Sequence, residues 1–451
     1  MRSLFVTLCY ASFFGVGLVS PFVITLGYLW VDSFIPQGVA YDLIANMPVS
    51  QIMALAAIAA YFLLDRRNPP RPCLLSALLL VFAAWTTVTT FGWAVVPSAT
   101  EKWNVVVKTL VFAAFIPLAI RSRVQIEAFL QVWLFGFAIN FLPVGIKTLV
   151  AGGGYGRDLG IHSTECCFAL SADSRLAVIA LMLVPIALYL QKHTVLLPAK
   201  WPTRILYLAV VVLALASAYG IYERTGVIVA AMLGLLMWLK SKRKVLAGAA
   251  LVTAVVALFH FAPENWMERM TTMTEYNQES SARHRLDVWA WTYNYVVEHP
   301  LGGGFNIYEI DEIGVAPDGT KTGLAYHNDF FEVLGEQGWP GLLIFAALIM
   351  TSFVQLRIAA RRAKRFRQLA WVPDFATAAQ MSLVLQLTGG QFVALGYHPP
   401  LYMIFALAIS LREYVRRVEA ATDPAAAPVR TLGRDWRPIG SEPVGTARNP
   451  A

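Results

Sequence analysis

Charge is scarce in this sequence. Only 14% of its 451 residues are Asp, Glu, Lys or Arg, while 57% are hydrophobic. A soluble domain would be about a quarter charged, so an ordinary soluble enzyme is excluded. Cysteine is scarce as well. The four present, Cys9, Cys73, Cys166 and Cys167, form no metal-ligand spacing, and the adjacent pair would close only a strained ring. The short alternating segments of a membrane barrel are missing. In their place stand apolar stretches of roughly 18 to 25 residues, long enough to cross about 30 Å of hydrocarbon as helices. No internal repeat of the kind found in many transporters is evident, and polar residues gather toward one face rather than mid-span.

The opening stretch MRSLFVTLCYASFFGVGLVSPFVITLGYLW has the early arginine of a secretory leader. Its apolar run is too long for one and no clear A-x-A site follows, so a retained first span is expected. Twelve spans are expected in all: 5–30, 45–64, 73–97, 103–120, 126–149, 174–190, 204–221, 225–239, 245–262, 340–356, 375–395 and 399–412. With the N-terminus inside, DRRNPPR, RSR, QKHTVLLPAKWPTR, KSKRK, RIAARRAKRFR and REYVRR all fall on the cytoplasmic side, as basic loops do. The net charge of +8 is therefore mainly a topology signal, with some attraction to anionic membrane lipids. No nucleic-acid partner is expected, because the basic residues are scattered among short loops. The chain divides into spans 1–9 with short loops (1–262), one long outer loop (263–339), spans 10–12 (340–412) and a Pro-, Ala- and Gly-rich tail (413–451), expected to be disordered and cytoplasmic.

The long outer loop is acidic, and a shorter one, about 150–173, holds AGGGYGRDLGIHSTECC. Outer arginines owe nothing to orientation, so each needs a local reason. They are Arg157, Arg175, Arg224, Arg269, Arg283 and Arg285. Arg175 opens a span and Arg224 sits in a tight outer turn. Such charges face a cavity or partner, or else snorkel or pair with Asp173 or Glu223. From Arg285, the positions Val288, Trp289, Trp291, Tyr293, Tyr295 and Val296 suit an amphipathic helix at the membrane surface. HPLGGGFN then breaks it. Gly302 and Gly304 allow close backbone approach to an anionic or sugar ligand, although no Gly-Lys-Ser/Thr ending makes this a P-loop.

A helix beginning at Asn328 or Asp329 would place Phe330, Phe331, Val333, Leu334 and Gln337 on one side and Asp329, Glu332 and Glu336 toward the other. Gly338 would stop it and Pro340 start the next span. His327, just before this helix, titrates in the range of a general base.

RLDVWAWTYNYVVEHPLGGGFNIY followed by HNDFFEVLGEQGWPGLLIF resembles the O-antigen ligase superfamily, which also holds O-antigen polymerases and bacterial O-oligosaccharyltransferases. Arg285, Trp289, Pro300, Gly302, Gly304, His327, Asn328, Glu336, Gly338 and Gly341 occupy the family's pattern, and the likeness extends over roughly 150–412. Two departures stand out: Glu223-Arg224-Thr225-Gly226 where many relatives read Ser-Arg-Gly, and Asp173-Ser174 in place of Asp-Asn. The resemblance implies a GT-C-like all-α architecture in the bacterial inner membrane, both termini cytoplasmic and the active site facing the periplasm. It implies a metal-independent glycosyltransferase without cofactor, moving glycan from undecaprenyl diphosphate to lipid A-core with inversion. A polymerase or transfer to protein is the alternative within the family, and a transporter the alternative outside it. On this reading His327 is the catalytic base, with Glu332 or Glu336 orienting it. Arg285 and Arg224, then Arg175 and Arg157, bind the diphosphate, supported by Asn328, Gly302 and Gly304. Arginine suits the task because its planar fork meets phosphate oxygens in pairs and stays charged.

Overall fold

A computed structural model describes residues 2–38, 47–65, 69–153, 174–260, 262, 264, 266–267, 280–315 and 321–422. Within them the chain is a helical bundle. Its helices are α1 (Arg2–Gly17), α2 (Pro21–Phe34), α3 (Val49–Leu64), α4 (Leu74–Trp93), α5 (Ala99–Ala119), α6 (Arg123–Ala151), α7 (Ser174–His193), α8 (Trp201–Gly220), α9 (Arg224–Lys240), α10 (Lys244–His260), α11 (Ser280–Glu298), α12 (Asp329–Ala363), α13 (Val372–Gly389) and α14 (Pro399–Thr422). A two-stranded ribbon pairs Gly314–Val315 with Lys321–Thr322. Helices prevail because apolar surroundings offer the backbone no partner but itself.

Six of these helices, α4 to α8 and α12, are both long and apolar enough to cross a bilayer. The protein is thus a multi-pass helical membrane protein, though this criterion does not reach the twelve spans expected. The segment 5–30 departs most clearly. It is not one helix: α1 and α2 are separated at Leu18–Ser20, with Pro21 at the start of α2. A side chain added at Gly17 would strike Ile24, and one at Gly27 would strike Phe13, so the two helices fold back on each other. At 16 and 14 residues, each is shorter than a full crossing requires. At the other end of the chain α14 runs to Thr422, ten residues beyond the span boundary expected at 412. The remainder of the expected tail lies outside the described residues.

Two helices form the centre. Every residue of α7 from Leu176 to Ala187 is buried, as is every residue of α14 from Pro399 to Leu411, and α13 packs against both. Arg175 and His398 therefore stand at the entrances of the two most enclosed helices.

The decisive local feature is the elbow in α12. Gly338 adopts φ 65°, ψ −169°, and Pro340 follows it. Proline has no N–H for the carbonyl of Glu336, and the N–H of Trp339 turns to Pro300 instead, at 3.0 Å. The freed carbonyls are satisfied from the glycine-rich loop: Gly303 N–H donates to Gly335 (3.1 Å) and Gly304 N–H to Glu336 (2.9 Å). Gly302 and Gly304 have φ near 80°, and a Cβ on Gly302 would collide with the backbone at Gln337–Gly338.

Candidate active site

The short stretch from Tyr326 to Gln337 organises the site. Asn328 caps α12, its side-chain oxygen accepting from the N–H groups of Phe330 (2.9 Å) and Phe331 (3.2 Å). Its amide donates to the Gln391 side chain at 3.2 Å, and Asp329 N–H donates to the Gly390 carbonyl at 2.7 Å. These bonds tie the start of α12 to the loop between α13 and α14. Immediately before the cap, His327 takes a left-handed backbone with φ 49°. That region is uncommon for a side-chain-bearing residue, and such strain persists where surrounding bonds enforce it.

His327 keeps an accessible face, but the protein packed around it favours the neutral ring. Burial of its surroundings, and then the positive charges of Arg285 and Arg175, hold its pKa below the ordinary histidine value, opposed in part by Glu332. Arg285 from α11 and Arg175 from α7 thus lie close enough to His327 to act on its charge. The placement of Arg285 follows from its own helix. One turn on, Trp289 donates from its indole nitrogen to the Tyr326 carbonyl at 2.8 Å and stacks on Phe331 at 5.1 Å. Val288 and Val296 are buried beneath, so the amphipathic helix read from sequence is present and packed on α12.

Arg224 begins α9 beside Arg175. Ser174 donates to the Glu223 carboxylate at 3.0 Å, and Gly226 lies against Ala177, which brings the two helix starts together. Arg157 and Asp173 fall outside the described residues. Gly302 and Gly304 do approach backbones closely, but these are the protein's own, α12 at Gln337–Gly338 for Gly302 and Ala94 after α4 for Gly304, rather than an open ligand cradle.

The carboxylates are arranged differently from the expectation. Asp329, Glu332 and Glu336 face inward: Asp329 and Glu336 are fully buried and Glu332 is 6% exposed. Among the described residues no carboxylate hydrogen-bonds His327. Glu332 and Glu336 instead share the ammonium of Lys102, at 2.8 and 2.7 Å. Glu336 also accepts from Asn306 N–H (2.9 Å), Glu332 from Gly396 N–H (3.2 Å), and Asp329 from Leu395 N–H (2.5 Å). Lys102 stands over the rings of Tyr397 (4.9 Å) and Phe305 (5.7 Å). Motif reading does not single out this lysine. The available signal is weak: Lys102 stands one turn into a largely apolar helix, a costly placement that implies a partner, but Glu101 and Lys108 are charged in the same helix. His398 is likewise absent from the motif pattern. It is buried, and burial followed by the charges of Arg175 and Lys102 holds it well below the usual imidazole range. No group of His, Cys, Asp and Glu among the described residues has the arrangement of a metal site.

Fold and site together define a polytopic helical membrane protein with guanidinium groups and an imidazole gathered at one end of its bundle. Residues 209–346 match the family model described as O-Antigen ligase, and residues 1–195 match a family of unknown function (DUF5935). The first match supports membership of the O-antigen ligase superfamily, a family of glycosyltransferase-like enzymes. No curated protein matches the chain.

Proposed function

We propose that this protein is an O-antigen ligase of the bacterial inner membrane, with both termini cytoplasmic and its site open to the periplasm. It would have about twelve spans in a GT-C-like arrangement. The donor is a glycan on undecaprenyl diphosphate and the acceptor is lipid A-core. The observation that carries this reading is the meeting of Arg285 and Arg175 at His327, with Arg285 and His327 inside the segment that matches the ligase family.

In the proposed reaction, His327 takes the proton of the acceptor hydroxyl as its oxygen attacks the anomeric carbon. The sugar–phosphate bond breaks on the opposite face, so the configuration inverts. Charge grows on the departing diphosphate, and Arg285, Arg175 and Arg224, with Arg157, stabilise it. Fixed positive charge aimed where negative charge develops lowers the barrier without reorganisation, and no metal or other cofactor enters the scheme. A neutral imidazole is the required form of the base, and the neighbouring guanidinium groups favour it.

The test is glycan transfer in membranes by wild type and His327→Ala. Loss of a general base costs about 10²- to 10⁴-fold in rate. Unchanged transfer in the variant would remove His327 from the mechanism. Lipopolysaccharide from a gene-deletion strain separates the acceptors. Complete loss of O-antigen with carrier-linked polymer accumulating supports ligase, whereas a core bearing one repeat unit supports a polymerase.

A further inference from the structure

Two segments of the chain match two different families, and their boundary separates most of the proposed machinery from a region whose family has no assigned function. The two segments pack along several helices, α6 and α7 against α8 among them, and one set of hydrogen bonds reaches the elbow of α12. Trp85 donates to the Gln337 carbonyl (2.9 Å), Thr89 to the Gln337 side chain (2.7 Å) and Trp93 to the Gly302 carbonyl (3.1 Å). Val95 N–H donates to Gly303 (3.2 Å), and Asn306 donates to Ser98 (3.1 Å). At the centre Lys102, 9% exposed, is held by Glu332 and Glu336. These contacts from α4 and the start of α5 converge on the glycine-rich loop and on the two turns of α12 that follow His327.

Those two turns carry an unusual load. Asp329, Glu332 and Glu336 recur at three- and four-residue spacing, so three buried carboxylates share one helix face. Such a face cannot pack inward with all its charge uncompensated. Backbone N–H groups meet part of the demand, and Lys102 supplies the one ammonium within hydrogen-bond reach among the described residues. Since Trp289 docks α11 on Tyr326 and Phe331 of the same stretch, the pose of α12 also sets where Arg285 stands relative to His327.

We propose that Lys102 is a positioning residue for the transfer reaction. By bridging Glu332 and Glu336 it fixes the first two turns of α12, and through them the relation of His327 to Arg285. The segment 1–195 thereby gains a role as the half of the molecule that sets the site. This rests on the ligase reading for the identity of the reaction, but the bridge itself does not.

Lys102→Met keeps an unbranched side chain, one heavy atom shorter, and removes the charge. Without the ammonium, Glu332 and Glu336 can stay together only by sharing a proton, since like carboxylates side by side cannot both remain ionised. The arrangement then survives in acid and fails as the shared proton leaves. Groups facing His327 from the packed elements are Arg285, Arg175 and Glu332, and the variant substitutes none of the three.

The experiment compares purified wild type, Lys102→Met and Lys102→Met/Glu336→Gln in detergent, following glycan transfer and undecaprenyl diphosphate binding across pH. For Lys102→Met, kcat falls at least about tenfold on the alkaline side, and the alkaline limb moves down by about one pH unit or more. In the double variant the amide introduced at position 336 donates to Glu332, and the limb returns to its wild-type position. A Lys102→Met enzyme with unshifted limbs and unchanged kcat overturns the proposal. So does a reduced yield of folded protein whose survivors keep the wild-type profile. If wild type binds undecaprenyl diphosphate yet forms no glycosidic bond, the ligase reading falls and the bridge is read on binding: weaker alkaline binding in Lys102→Met supports it, unchanged binding overturns it. Wild type that neither transfers nor binds removes both.

Discussion

Two charge clusters, one toward each end of the bundle, are held in opposite ways. At the end bearing His327, Lys102 and its two glutamates are almost wholly enclosed and anchored by backbone N–H groups. At the far end of α7, Lys192 and His193 meet Asp374 at 2.6 and 2.7 Å, but Lys192 is 68% exposed and Asp374 46% exposed. The distances are alike and the energetics are not. Water screens the second cluster and can replace either partner. Nothing replaces a partner in the first, so breaking it leaves a charge stranded in protein.

Mutation should expose this contrast most strongly at Glu336. Glu336→Ala removes one arm of the enclosed bridge and orphans the Asn306 N–H, and should cost roughly 3–5 kcal/mol, measured as denaturation of the detergent-purified protein. A loss below about 1 kcal/mol would show that the enclosed bridge behaves like a surface pair. The next effect is electrostatic. His327 must be neutral to accept a proton, and burial, followed by the positive charge of Arg285, disfavours its protonated form, so the acid limb of transfer should lie below the ordinary histidine value. Arg285→Gln removes that charge, and the limb should rise, read from kcat/KM against pH even if the plateau drops. A limb that stays put would separate Arg285 from His327 electrostatically. Asp374→Asn, at the exposed end, should change stability by less than about 1 kcal/mol, and salt should reduce even that.

Much of this organisation is legible in the sequence, for physical reasons that also mark the limits. Spans such as 126–149 and 174–190 fall inside α6 and α7 because a long apolar run has few ways to satisfy its backbone. The break at Leu18–Ser20 escapes the same logic, because the run stays apolar across the turn and only Gly17 and Pro21 hint at it. At the site, Arg285, His327 and the elbow at Gly338 are readable from local pattern. The inward face of α12 is not. Amphipathic spacing shows that Asp329, Glu332 and Glu336 share a side, but not which way that side points. The answer depends on Lys102, 230 positions upstream of Glu332. The local pattern around Lys102 hints that a partner exists but does not name it.

The left-handed turn at His327 narrows what this position can host. Asparagine and glycine accept that geometry readily, alanine resists it, and valine or isoleucine would fight it with a branched Cβ. Chemistry asks for an imidazole here, while the backbone itself disfavours the branched side chains. A replacement by asparagine therefore subtracts the base and little else, whereas one by alanine also loads the backbone.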